Sequence, residues 1–140
     1  MHKIKILTIG KTKETWLDEA LSEYRKRLKA TAEIEIFGLK DDAALLRAIE
    51  QEEQVICLDV KGKMMGSVEF SQFLMQALEK GGTKVALVIG GAEGLPKGLK
   101  KEYPRISISP MTFTHQCVRL LLVEQIYRAF EIAKGSGYHK

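Results

Sequence analysis

The sequence predicts an α/β protein, a mostly parallel sheet flanked by helices, built as one domain over residues 1–140. Strand-like and helix-like segments alternate along the whole chain, the pattern of a sheet whose strands are joined by helices. Two of the strand-like segments, Val55–Leu58 and Val85–Ile89, are apolar at every position, as strands covered on both faces are. Turn formers (Gly10, Asp41-Asp42, Asp59, Gly81-Gly82, Gly90-Gly91) stand where one segment gives way to the next.

Taken in order, Lys3–Ile9 alternates charge with Ile before turning apolar, and reads as a first strand. Trp16, Leu17, Ala20, Leu21, Tyr24 and Leu28 recur at three and four, giving a helix with Thr12 or Thr15 as its cap. Ala32–Leu39 alternates Ile with Glu and predicts a second strand with one wet face. Asp41 or Asp42 then caps a helix carrying Leu45, Leu46 and Ile49. A third strand, Val55–Leu58, ends at Asp59 and runs into the loop VKGKMMG. Ser67 opens a helix with Phe70, Phe73, Leu74, Ala77 and Leu78 on its inner side. After the fourth strand come GGAEGLPKG, a weak helical turn over Leu99–Tyr103 and a fifth strand, Ile106–Ser109. A long helix over residues 115–133 closes the chain.

Composition narrows the class. Hydrophobic residues are 45% and charged residues 29%, the balance of a folded domain rather than of a disordered or fibrous chain. No segment has the length of a membrane span, and the start lacks the apolar stretch of a signal peptide, so cytoplasmic residence is expected. Cys57 and Cys117 form no metal-ligand spacing, so both are expected to be buried apolar residues and no metal is expected. The net charge of +4 comes entirely from the first thirty residues, with eight basic against four acidic; the remainder carries 14 of each. That asymmetry suits either a phosphate-facing surface or a solvated basic helix.

In an open α/β sheet, ligands gather beyond the carboxyl ends of the strands, and three unusual loops leave those ends here. They follow Leu58, Gly90-Gly91 and Ser107. The paired glycines let a ligand approach the backbone, yet they form neither GxGxxG nor a Walker A motif, which argues against an ordinary dinucleotide or triphosphate site. There is no GxSxG elbow either. The long helix is apolar over most of its circumference, and His115 and Arg119, four residues apart, share a face inside that apolar arc. A guanidinium there must find partners or face a cavity. His115 reads as a catalytic group or a satisfied core histidine, Arg119 as a catalytic group or half of an ion pair with Glu124 or a carboxylate elsewhere. So wide an apolar arc also points to a subunit interface.

The GG-x-E-G turn, the run I-S-x-S-x-M-T-F-x-H-Q-x-V-R and the closing Y-R-A-F…Y-H together resemble the ribosomal RNA large subunit methyltransferase H family of the SPOUT class. The opening IKILTIGKTKE…W…EYRKRL extends the resemblance over essentially the whole chain. It implies an α/β fold with a C-terminal trefoil knot, a homodimer, and methyl transfer from S-adenosyl-L-methionine to N3 of a pseudouridine in 23S ribosomal RNA, free or in an assembled ribosome. By matching position it assigns Leu58, Gly90, Gly91, Ile108, Ser109, Pro110, Met111, Thr112 and Phe113 to the cofactor. Arg119 is then expected to stabilise charge on the base and His115 to orient it or accept its proton. Tyr138, His139 and Lys140 are expected to contact RNA by stacking and phosphate binding, with Lys11 and Arg25 of the basic end beside them. The other reading of that terminus is a loose tail.

Overall fold

The computed structural model describes residues 1–140. The elements are β1 (His2–Ile9), α1 (Thr15–Leu28), β2 (Ala32–Leu39), α2 (Asp42–Glu50), β3 (Val55–Met64), α3 (Ser67–Lys80), β4 (Lys84–Val88), β5 (Arg105–Ser107) and α4 (His115–Lys134). All strand pairs are parallel, in the order β2-β1-β4-β3-β5.

Period-two alternation divides the core between the two faces of the sheet. Ile4, Ile6, Ile34, Ile56, Val85, Leu87 and Ile89 point to one face, where they meet α1, α3 and α4 through Leu17, Leu21, Leu74, Leu78, Leu122, Val123 and Ile126. Leu7, Val55, Cys57, Ala86 and Val88 point to the other, under Leu45 and Ile49 of α2 and the β4–β5 connection, which lays down Leu95, Leu99 and Tyr103. Side chains fix where two helices begin. Asp41 accepts from the Ala44 N–H (2.9 Å) at the start of α2, and Thr114 accepts from the Cys117 N–H (3.2 Å) at the start of α4. Gly135, left-handed at φ 67°, ends α4.

Several expectations are corrected. The third strand continues past Asp59 to Met64, because Lys63 and Met64 pair with Ile106 and Ser107 beyond an irregular stretch. Leu99–Tyr103 is turn rather than helix. No side chain caps α1, since the Thr12 hydroxyl is engaged by Arg119. Cys57 is buried as expected, but Cys117 is exposed. Trp16, expected on the inner face of α1, is 56% exposed, and Leu120 and Leu121 of α4 are only partly covered. The apolar arc of α4 therefore exceeds what one chain covers.

The candidate active site

β3, β4 and β5 end side by side, and the loops leaving them enclose a cavity of about 770 Å³. Its apolar wall comes from Leu58, Val60, Ile89, Leu95, Ile108 and Val118; Asp59 is its one carboxylate, and His115 stands in its lining at the start of α4. Eight of the nine residues expected to hold a cofactor line it: Leu58, Gly90, Gly91, Ile108, Ser109, Met111, Thr112 and Phe113. Pro110 does not; it is exposed on the outside of the same loop.

Two features of these loops suit a flat, largely apolar ligand with polar edges. A Cβ on Gly90 would run into the Gly94 carbonyl and lie 2.6 Å from the Leu95 nitrogen, so only glycine lets the turn fold back this tightly. From Ser109 to Phe113 the backbone makes only local bonds to side chains, Met111 N–H to Ser109 Oγ (3.0 Å) and Ser107 Oγ to Ser109 O (2.9 Å). The remaining N–H and C=O groups of that loop have no partner among the backbone hydrogen bonds and are available to a ligand.

Arg119 is fully buried and is not part of the cavity lining. Its Nη2 donates to the carbonyls of Ile9 and Gly10 (2.8 Å each) and its Nη1 to Thr12 Oγ1 (3.0 Å). Gly10 makes this possible by taking a left-handed conformation, φ 75°. Both terminal nitrogens are thus committed to oxygens of the chain itself. Nor is Arg119 paired with Glu124, which binds Arg128 (2.9 Å) and Tyr138 (2.8 Å). Replacing Arg119 with Met is expected to lower unfolding free energy by about 3 kcal/mol, because three oxygens lose their donor. Urea denaturation monitored by circular dichroism measures this, and Arg119→Lys should recover part of it.

The proton affinity of His115 is held below that of ordinary histidine, first by burial and then by the positive charges of Arg119 and Lys13. Its Nδ1 is buried and has no partner in the chain. The imidazole is therefore neutral at pH 7 and able to accept a proton.

The C-terminal residues lie apart from the cavity, folded on their own α4. The Tyr138 hydroxyl donates to Glu124, its ring meets Tyr127 edge-on at 4.9 Å, and the Arg128 guanidinium lies 4.8 Å over it. His139 Nδ1 is 3.0 Å from Arg128 Nη1, and Lys140 is exposed. Mainly through the bond to Glu124, and by burial, the Tyr138 hydroxyl is pushed up to about 12 and stays a donor. Arg25 is half-buried on α1, and Lys11 is exposed in the β1–α1 loop. Lys13, Asp59, Thr114 and Val118 belong to the site or its edge without having been expected there, since no motif distinguishes them.

A cavity between loops at the carboxyl edge of a parallel sheet, with His115 at its wall, is where an α/β enzyme holds its ligand. The sequence model described as "Predicted SPOUT methyltransferase" matches residues 2–139, and the chain belongs to that family of methyltransferases. More particularly, it falls with the proteins called Ribosomal RNA large subunit methyltransferase H. It is 51% identical to the one from Protochlamydia amoebophila over the full length of both chains. It is 39% identical to that of Bacillus pumilus, covering 98% of this chain and 99% of the relative, and 38% identical to that of Clostridium botulinum with the same coverage. Among solved structures, TrmJ from Z. mobilis ZM4 aligns with 91% of this chain and 68% of its own at 11% identity, with a TM-score of 0.44.

Proposed function

We propose that this enzyme methylates N3 of a pseudouridine in large-subunit ribosomal RNA, with S-adenosyl-L-methionine bound in the cavity under the β3, β4 and β5 loops. The observation that carries the reading is the coincidence of that cavity with His115: a ligand slot and a neutral base share one wall. The names of the full-length relatives supply the substrate class. When bound, S-adenosyl-L-methionine offers an electrophilic methyl carbon; the chain's own residues do the rest. Leu58, Leu95, Ile108 and Val118 would shelter an adenine-sized ring from water, the loop backbone would meet its polar edge, and Asp59 would accept from hydroxyls. Gly90 keeps the turn closed against the ligand. His115 would accept the imide proton, leaving on N3 the electron pair that methyl transfer requires, with the donor's sulfur released as a neutral thioether. The positive field of Lys13 and Arg119 favours the resulting anionic base.

The same proposal includes the trefoil knot and a homodimer working in the cytoplasm on ribosomes or their RNA. The knot is proposed from membership of the SPOUT family. Support for the dimer is the uncovered apolar surface of Trp16, Leu120 and Leu121, with a groove of about 340 Å³ between α1 and α4. No helix is long and apolar enough to cross a membrane.

The test is nucleoside mass spectrometry of ribosomal RNA from cells with and without the gene. Loss of N3-methylpseudouridine alone is expected; loss of a different methylated nucleoside would move the target elsewhere. Deleting Tyr138–Lys140, expected to take base stacking and phosphate contact with it, should lower kcat/KM on RNA about tenfold while donor affinity is unchanged. Steady-state kinetics beside calorimetry on the truncated chain checks this.

A further inference from the structure

The β1–α1 loop, Gly10–Glu14, has no regular structure, and within its own strand layer its tie is the Gly10 N–H to Leu39 O bond (2.8 Å). Four hydrogen bonds with α4 hold it instead, and a fifth reaches Ile9 O at its edge. Besides the three from Arg119, Gln116 Nε2 donates to Lys11 O (3.0 Å), and Gln116 Oε1 accepts from the Lys13 N–H (3.3 Å). These two side chains lie in the first turns of the helix that presents His115 to the cavity, and the loop they grip carries two exposed lysines, Lys11 and Lys13. A Cβ on Gly91, in the cavity wall, would meet the Ile9 side chain, so the end of β1 from which the loop leaves lies against that wall.

We propose that Gln116 and Arg119 are positioning residues for the RNA substrate, fixing Lys11 and Lys13 beside the mouth of the cavity as a preset seat for a backbone phosphate. The inference rests on the reading of the protein as an RNA methyltransferase. The reason is entropic and electrostatic together. A free loop must be ordered when the phosphate binds, and each ordered residue opposes binding; a loop ordered in advance by bonds from α4 avoids that loss. Arginine suits the buried end because its planar fork reaches three oxygens at once, which an ammonium does not match in that geometry. Gln116 suits the outer end because one amide accepts from one backbone group and donates to another. Phosphate contacts carry no sequence information but set register, and register decides which base enters the cavity.

The experiment is a double-mutant cycle on the full-length protein with unmethylated ribosomes and S-adenosyl-L-methionine. Gln116→Ala is the main variant, since Gln116 is only half-buried and its removal leaves the Arg119 bonds in place. It is expected to raise KM for the ribosome about fivefold with kcat within about twofold. The Lys11→Ala/Lys13→Ala variant should raise KM more, and lower the slope of log KM against log salt by about one for each phosphate that is no longer neutralised. In that lysine-free background Gln116→Ala should add nothing further, and Gln116→Glu, which keeps only the acceptor, should fall between wild type and alanine. A Gln116→Ala that leaves KM unchanged, or that acts equally with and without the lysines, overturns the proposal and leaves a purely structural clasp. Failure of the wild-type enzyme to methylate ribosomes at all would instead defeat the underlying functional reading.

Discussion

Gly90→Ala is expected to abolish measurable donor binding. The added methyl would be driven into the Gly94 carbonyl and to 2.6 Å from the Leu95 nitrogen, and backbone cannot step aside as a side-chain tip can. The Gly90–Leu95 turn would have to open, and that turn is one wall of the cavity. A loss of at least about 100-fold in affinity, roughly 2.7 kcal/mol, is expected by isothermal titration calorimetry with S-adenosyl-L-methionine. Gly91→Ala is the matched control. Its methyl would meet only the Ile9 side chain, at 3.3 Å, which can yield by a few tenths of an ångström. Affinity should then change less than about threefold, since such a contact is relieved by a small rotamer adjustment. A Gly90→Ala variant that binds the donor as tightly as the wild type would show that the turn does not bound it.

Replacing His115 should leave donor affinity within a few-fold and cut single-turnover methyl transfer by about 100- to 10,000-fold, the range of a lost general base. The pH profile distinguishes this role from a packing role. Burial and the charges of Arg119 and Lys13 disfavour imidazolium, so the neutral base persists to more acidic pH than in free histidine. Transfer should therefore fall only as pH drops through a midpoint below 6.5. Removing a positive neighbour reverses part of that shift, so Lys13→Ala should move the acid limb upward and His115→Ala should erase it. A limb that stays in place in both variants would assign the proton to another group. The same shift bears on stability: a histidine easier to protonate unfolded than folded gives a contribution present above the unfolded value and lost as pH falls through the folded one.

The sheet was legible in the sequence because its signals are local. Alternating Ile and Glu in Ala32–Leu39 and uninterrupted apolar runs at Val55 and Val85 need only their own residues to be read. The extension of β3 to Met64 was not legible, since Lys61, Gly62 and Lys63 break every periodic pattern and pair only because β5 lies beside them. Burial of Arg119 was legible from the helical wheel. Its partners were not, since two are backbone carbonyls, which leave no mark in a sequence, and the third, Thr12, resembles an ordinary helix cap. Tyr138 shows the same limit. A terminal SGYHK looks loose until Glu124 and Arg128, one turn apart on α4, are seen to hold it. The three loops were legible from their place at the carboxyl ends of the strands, their individual cofactor residues only by resemblance, and all nine of those residues except Pro110 line the cavity. Trp16 is exposed because an apolar arc on a helix tells how much surface must be covered, and not whether the same chain covers it; Cys117 is exposed because residue type alone does not fix a face of the helix.

The central claim is that the three loops form the methyl donor's seat. Calorimetric titration of the purified protein with S-adenosyl-L-methionine, run beside a thermal melt, tests it most directly. Saturable binding to the wild type with a raised Tm, both absent in Gly90→Ala, is the predicted result. A wild-type protein that shows no heat of binding and no shift in Tm at saturating donor would contradict it.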